Sequence, residues 1–259
     1  MREFNYSKSE NITVLSAKFD EFEYKKHAHE EYAIGVTLKG IQQWRLEGEL
    51  CRSRPGGIML FSPEQVHDGC SGGKKDLEYV MTYIPTELFK EISGKKDILK
   101  FSSPIVYDKK LAANVITLAR CIEAGQEDIL TSELIMNVVK RTANADENMR
   151  MPKNYTAVRR SIEMMYENYE NPLKLDDICK EVQMSKYHFI RQFKAIKGVS
   201  PYQFFLNGRI SHAKRLLDSK KELYAVMLSC GFYDLSHMNR LFKSVYGITA
   251  YAYSQLIKN

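Results

Sequence analysis

His188-Phe189-Ile190-Arg191-Gln192-Phe193-Lys194 and, 49 residues later, His237-Met238-Asn239-Arg240-Leu241-Phe242-Lys243 are two versions of one phrase. The register continues through Gly198 and Gly247, Val199 and Ile248, Ser200 and Thr249, and Tyr202 and Tyr251, so the copy includes a helix and its exit. Upstream, Leu175, Ile178 and Cys179 match Leu223, Val226 and Met227 at an offset of 48, which implies one extra residue, assigned to Phe232, in the second connection. Each copy therefore reads as a short helix, a tight turn and a longer helix.

Such a unit buries little alone, but its second helix fits a DNA major groove, and two on one chain can read successive grooves. The faces separate as that requires. Phe189, Phe193 and Ile196 form an inward stripe, whereas Tyr187, Ile190, Arg191 and Lys194 share an outward one. In the second copy Met238, Phe242 and Val245 point inward and Ser236, Asn239, Arg240 and Lys243 outward. Ser185 and Asp234 stand where each long helix begins and are expected to cap its free N–H groups. Between the copies Ser200, Pro201 and Gln203 predict a capping box. Phe205, Ile210, Ala213 and Leu217 then supply the apolar positions of one long linking helix.

Over about Tyr155 to Leu256 the chain resembles the arabinose-regulator (AraC/XylS) family of bacterial transcription regulators. The resemblance is carried by Leu175-Asp176-Asp177-Ile178, Met184-Ser185-Lys186-Tyr187-His188-Phe189, Ser200-Pro201, Arg209-Ile210-Ser211-His212-Ala213-Lys214-Arg215-Leu216-Leu217, Cys230-Gly231-Phe232 and Arg240-Leu241-Phe242-Lys243. It implies a DNA-binding unit of two motifs joined by one long helix. Several positions depart from the family pattern. Gln183 stands where the first turn usually has Gly, at a cost on the order of 1 kcal/mol if φ is positive there. Lys174 and Glu222 replace capping Thr or Ser, Ala250 replaces a Pro, and Met227 replaces a small Ala, which predicts a less rigid second motif.

Charge gives an independent check. Residues 151–259 hold 17 basic and 9 acidic residues, net +8, whereas 1–150 hold 21 and 23, net −2. The positive excess lies wholly in the half with the repeats, as binding to a polyanion requires. An ordinary helical bundle with a solvated basic face has no need of two matched, capped helices.

At 259 residues and 44% apolar content the chain can bury two modest cores. The expected division is a domain over 1–142, a polar linker over 143–154 ending near Pro152, and a helical domain over 155–259. Cysteines 51, 70, 121, 179 and 230 show neither C-x-x-C nor metal-ligand spacing and read as reduced thiols. Met1 to Asn11 is polar and no run approaches a membrane span, so a cytoplasmic protein without a membrane partner is expected.

From Thr13 to about Pro85 short strands are expected at Tyr32–Leu38, Gln43–Leu46, Ile58–Phe61 and Glu78–Ile84, separated by Gly- or Pro-marked turns. The pattern predicts a small β-sandwich or barrel. Between about Lys109 and Arg141 the period becomes helical, with Leu111, Val115, Leu118 and Ile122, then Leu130, Leu134 and Val138, forming two amphipathic stripes. These can pack on the barrel or on a second copy. The segment looks like the cupin-type sensor domain that often precedes the tandem motif, on the evidence of His27-Ala28-His29, Gly40 and Pro55-Gly56-Gly57 through His67. The fold class expected is therefore α+β in two domains: a cupin-like β-barrel followed by two helices, then an all-α tandem helix-turn-helix domain.

Metal-binding cupins carry a His-x-His, a Glu four or five residues on, and a later His. Here the Glu positions are Ala33 and Ile34, and Glu31, expected on the same strand face as His29, is the substitute. No metal ligand and no cofactor are therefore assigned. His27, His29, Glu31, Tyr32, Trp44, Arg45, His67, Tyr79 and Tyr83 are instead assigned to the wall of an effector pocket suited to a small organic molecule.

The function expected is that of an effector-responsive transcription regulator. The alternative, a metal-dependent cupin enzyme with an accessory helical domain, lacks the Glu and any nucleophile–base pattern, and no catalytic residue is assigned. Arg191 and Arg240 are the expected guanine readers, Asn239 an adenine reader, and Tyr187, Ile190 and Leu235 partners of thymine methyls. Ser185, Lys186, His188, Lys194, Ser236, His237 and Lys243 are expected to hold phosphates or support the helices. The partners expected are double-stranded DNA, a small effector, RNA polymerase and a second copy, the last favoured by the family resemblance and allowed by the apolar stripes of 109–141.

Overall fold

The computed structural model describes residues 2–9, 11–73, 76–126, 129–143, 155–171 and 173–257. Most of the expected linker, 144–154, lies outside them. The chain divides into two compact units, Met1–Glu23 with His29–Met149, and Tyr24–Ala28 with Arg150–Asn259.

The N-terminal strands are β1 (Arg2–Ser9), β2 (Ile12–Phe19), β3 (Glu23–His27), β4 (Tyr32–Lys39), β5 (Gln42–Leu46), β6 (Glu49–Ser53), β7 (Ile58–Phe61), β8 (His67–Ser71), β9 (Leu77–Ile84) and β10 (Ile105–Val106). They form a six-stranded sheet ordered β1-β2-β9-β4-β7-β10 and a four-stranded sheet ordered β3-β8-β5-β6. This corrects the barrel expectation. Each sheet keeps two ends, so the domain is an open pair of sheets rather than a closed cylinder.

The central strands explain the solid apolar runs in the sequence. On one face Tyr32, Ile34 and Val36 of β4, Ile58 and Leu60 of β7, and Val80 and Ile84 of β9 form a core with helices α2 (Lys109–Glu123) and α3 (Ile129–Ala143). The helices contribute Leu111, Val115, Leu118, Ile122, Leu134 and Val138. The intervening residues Ala33, Met59, Phe61, Tyr79, Met81 and Tyr83 are buried as well. A strand covered on both faces loses the polar alternation that marks a half-exposed one. Asp108 starts α2 by accepting from the N–H groups of Lys110 and Leu111 at 2.9 and 3.0 Å. Its other oxygen receives Arg141 Nε and Nη2 at 2.9 and 2.8 Å, tying α2 to α3. A further helix, α1 (Thr86–Ser93), sends Phe89 against Tyr32.

The C-terminal helices are α4 (Tyr155–Glu167), α5 (Leu175–Glu181), α6 (Lys186–Lys197), α7 (Pro201–Asp218), α8 (Leu223–Ser229), α9 (Leu235–Tyr246) and α10 (Ala250–Leu256). Helices α5–α6 and α8–α9 are the two copies, and α7 joins them. The expected stripes are buried: Phe189, Phe193, Met238, Phe242 and Val245 in the long helices, and Phe205, Ile210, Ala213 and Leu217 in α7. Burying a Phe contributes roughly 2–3 kcal/mol, so these rings hold the second helix of each copy in place. Both long helices end on a left-handed glycine, Gly198 at φ 72° and Gly247 at φ 79°, whose N–H closes on the carbonyl of Lys194 or Lys243.

Candidate nucleic-acid interface and sensor site

The residues assigned to DNA lie mostly on the outside of α6 and α9. Ser185, Lys186, Tyr187, His188, Arg191 and Lys194 are exposed in the first copy, and Ser236, Arg240 and Lys243 in the second. Tyr187 is 88% exposed, unusual for so large a ring. Ile190, Leu235, His237 and Asn239 are half-buried. Ile190 lines an apolar cleft of about 200 Å³ with Met165, Leu175, Ile178, Tyr202 and Phe205, so it divides its surface between solvent and cleft. Two polar residues already have partners. Lys186 pairs with Asp176 at 2.7 Å, which raises its pKa, and Asn239 Oδ1 accepts from the Tyr251 N–H at 3.3 Å. Asn239 therefore also secures the start of α10.

The turns fix the register of the copy. The Met184 N–H closes on the Cys179 carbonyl at 3.0 Å, and the Phe232 N–H closes on that of Met227 at 3.1 Å. Since Cys179 and Met227 match, Phe232 is the counterpart of Met184, and the extra residue is Tyr233, not Phe232 as expected. Phe232 is buried, with its ring edge-on to His237. Tyr233 is 93% exposed, directly before the capping residue of α9. It is a surface aromatic beside the expected base-reading helix that sequence reasoning missed; the one-residue excess in the second turn was its only trace.

Capping divides the copies. Asp234 accepts from the His237 N–H at 2.7 Å, as expected, whereas the Ser185 side chain makes no capping bond. Lys174 and Glu222 make none either. The first turn keeps Gln183 at φ 54°, and the second places Gly231 at φ 66°. Met227, expected to loosen the second motif, is buried instead, because a flexible thioether repacks where a rigid side chain would collide. Arg209 of α7 donates to the Gly231 carbonyl and the Asn171 carbonyl, both at 3.0 Å. It thus fastens the second turn and the α4–α5 connection to one helix. A Cβ on Gly231 would lie 2.6 Å from its guanidinium.

The structure gathers part of the expected pocket set. His27, His29 and His67 are all buried, and one ring nitrogen from each lies within 4.8 Å of the others, an arrangement able to hold a metal ion. Tyr83 meets the His29 ring edge at 5.0 Å, Phe61 stacks on His67 at 4.1 Å, and Trp44 lies 5.5 Å from Phe61. Phe61 was missed because a ring in an apolar strand reads as core. His27 Nδ1 and His67 Nδ1 contact the backbone carbonyls of Lys25 and Gln65 at 2.6 and 2.9 Å. A carbonyl oxygen only accepts, so both Nδ1 atoms carry the proton.

Four assignments do not join this group. Tyr32 faces the helices, stacked on Phe89 at 3.8 Å, and its hydroxyl bonds both N–H and carbonyl of Leu99. Burial pushes its pKa up to about 12. Arg45 is exposed because strand alternation that turns Trp44 inward turns its neighbour out. Tyr79 packs with Phe19 at 6.2 Å instead. Glu31 and His29 lie in the bend between β3 and β4, where alternation does not apply, and Glu31 is not part of the three-histidine group.

A family model described as an AraC-like ligand binding domain matches residues 11–139, and one described as a helix-turn-helix domain matches 178–255. The chain belongs to the AraC family. It is a DNA-binding transcription regulator with an N-terminal effector-sensing domain. It is 26% identical over 223 residues to the HTH-type transcriptional regulator YbfI of Bacillus subtilis (strain 168), covering 83% of this chain and 81% of that one. It is 27% identical over 263 residues to the HTH-type transcriptional activator RhaR of Salmonella schwarzengrund (strain CVM19633), covering 96% and 93%. Its fold is similar to crystal structures of ToxT from Vibrio cholerae: for strain O395 the TM-score is 0.65 at 13% identity, covering 96% of this chain and 99% of that one. A ToxT from strain SCE256 with bound unsaturated fatty acid gives 0.61 at 16% identity, covering 99% and 98%.

The cysteines of this AraC-family chain are free. Burial raises the thiol pKa of Cys51, Cys70 and Cys179 and takes that of Cys230 to about 12, which keeps these four protonated. No helix among the described residues is long and apolar enough to cross a membrane.

Proposed function

We propose that Arg191 and Arg240 read guanines in successive major grooves, and that occupancy of the N-terminal pocket by a small effector sets how strongly the chain holds that DNA. The observation that carries the reading is the repeat itself: two arginines at matching positions on the exposed faces of two helices whose opposite faces are buried. Arginine presents a planar fork that matches guanine O6 and N7. Lys194 and Lys243, one turn further on, hold phosphates. Tyr233 adds an aromatic contact beside α9, and Asn239 reads adenine while bonded to Tyr251.

The role is regulatory rather than catalytic, the compartment is the cytoplasm, and RNA polymerase is the partner through which a bound activator acts. A second copy joins through α3, where Ile129, Leu130 and Met136 are exposed. Of the expected effector set, His27, His29, His67, Trp44 and Tyr83 form the site.

Binding to DNA selected by the full chain from a random pool tests the reading. Arg191→Ala should cost about 1–3 kcal/mol and relax preference at one position, whereas Lys194→Ala should weaken all sequences alike and flatten the salt dependence. Equal loss on selected and random DNA for Arg191→Ala would falsify the base-reading role.

A further inference from the structure

The first motif carries an apolar opening at a corner that its counterpart spans with a hydrogen bond. The cleft of about 200 Å³ lies where α4, α5, α6 and the start of α7 meet. Met165, Ile178 and Phe205 form its buried floor, Leu173 and Ile190 its half-buried sides, and Tyr202, 68% exposed, stands at the rim. In the second motif Asn239 occupies the position of Ile190, and its Oδ1 accepts from the N–H of Tyr251, the counterpart of Tyr202. Isoleucine cannot make that bond.

The lining narrows the occupant. None of the described residues around the cleft is charged, so an ion entering it would shed hydration with nothing to replace it. Water gains little against such a wall, and the lining atoms lack contacts on the open side. An apolar cavity of roughly 150 Å³ takes up benzene, so the space here suits one ring or two fused rings. Polar features are few. Ser200 Oγ accepts from the Gln203 N–H at 3.2 Å and keeps its own proton to donate. A ring held against Ile178, Ile190 and Phe205 bears on α5, α6 and α7 together, and Ile190 directly precedes Arg191.

We propose that this cleft binds a neutral aromatic molecule of one or two rings with a hydrogen-bond acceptor, and that its occupancy alters how α6 engages DNA. The second half rests on the reading that α6 enters the major groove, and the test keeps the halves apart. Methyl NMR spectra of the full-length chain are recorded during titration with 2-naphthol, which is uncharged near neutral pH. Signals of Met165, Ile178 and Ile190 should shift together and saturate with a dissociation constant on the order of 10–100 micromolar, while those of Val226 and Met227 in the second motif stay in place. The anion 2-naphthoate should bind at least about tenfold more weakly. Leu173→Trp, which fills the cleft from its side, should also weaken binding about tenfold or more. The wild-type titration needs no variant to fold. Absence of a saturable shift at about millimolar 2-naphthol, equal binding of the anion, or binding unaltered in a folded Leu173→Trp protein overturns the site and leaves the DNA-binding reading intact. Affinity for the selected DNA should then change about fivefold or more at saturating 2-naphthol, and not in Leu173→Trp. A loaded cleft with unchanged DNA affinity, or a change that persists in Leu173→Trp, overturns the regulatory half. Failure of the groove reading itself shows separately, in the DNA binding of Arg191→Ala.

Discussion

At the turn of the first motif Gln183 carries a side chain at φ 54°, and the helix beyond it starts on a serine that makes no capping bond. At the same place in the second motif Gly231 takes φ 66°, Asp234 caps α9, and Arg209 holds the Gly231 carbonyl. Beneath α6 an apolar cleft reaches Ile190 beside the buried rings of Phe189, Phe193 and Phe204, 5.5–5.6 Å apart, and beneath α9 the rings of Phe242, Tyr246 and Tyr253 pack at 4.7 and 5.5 Å. Duplication preserved topology and registered both exits on glycine, but it left local finish to diverge. The second helix has a side-chain cap, a turn glycine and an arginine clasp that the first lacks.

The largest expected effect separates the copies on DNA. Both Arg191→Ala and Arg240→Ala should cost about 1–3 kcal/mol on a selected site, with the greater loss for Arg240, whose helix is the better anchored. A reversed order in quantitative gel shifts would break the comparison. Next comes capping: Asp234→Ala should destabilise by about 0.5–2 kcal/mol and Ser185→Ala by almost nothing, read from denaturant midpoints. Equal losses would mean that Ser185 caps in solution. Turn chemistry follows. Gln183→Gly should stabilise by roughly 0.5 kcal/mol, and Gly231→Ala should destabilise by about 1 kcal/mol or more, since a methyl there also meets Arg209.

The smallest effect concerns the helix between the motifs. His212 Nδ1 lies 3.0 Å from Arg215 Nη2, which only donates, so that nitrogen is unprotonated. Burial, then the Arg215 charge, lowers the His212 pKa below its ordinary value. The folded chain therefore binds fewer protons there than the unfolded one, and stability falls as pH drops below about 6.5. His212→Gln should shrink the difference in melting temperature between about pH 7.5 and about pH 5.5; an undiminished difference would remove His212 as its source.

The repeats and the linking helix were legible through their periodicity, and four strands through apolar runs set between Gly- or Pro-marked turns. β4, β5, β7 and β9 were found within a residue of their ends. β1 was not, because only Phe4 and Tyr6 interrupt its polar surface with buried rings, a weak trace for an edge strand. The site was half legible. Histidines 27, 29 and 67 stood out as rare residues in short motifs, but which face a tyrosine takes depends on what covers the sheet. Tyr32 and Tyr83 both lie on strands of the larger sheet, one under the helices and the other beside His29. Composition cannot tell them apart. The misplacing of the extra residue has a similar cause: Phe232 and Tyr233 are both aromatic, and only the hydrogen bond from Phe232 to Met227 decides between them.

One consequence follows from the doubly covered strands. In β9, Tyr83 touches an imidazole while its neighbour Ile84 packs in the core shared with α2 and α3. That partition is a single residue thick. A molecule that presses on Tyr83 from one side meets a wall whose reverse is already filled to the density of a crystal, so the helices behind it must register the arrival.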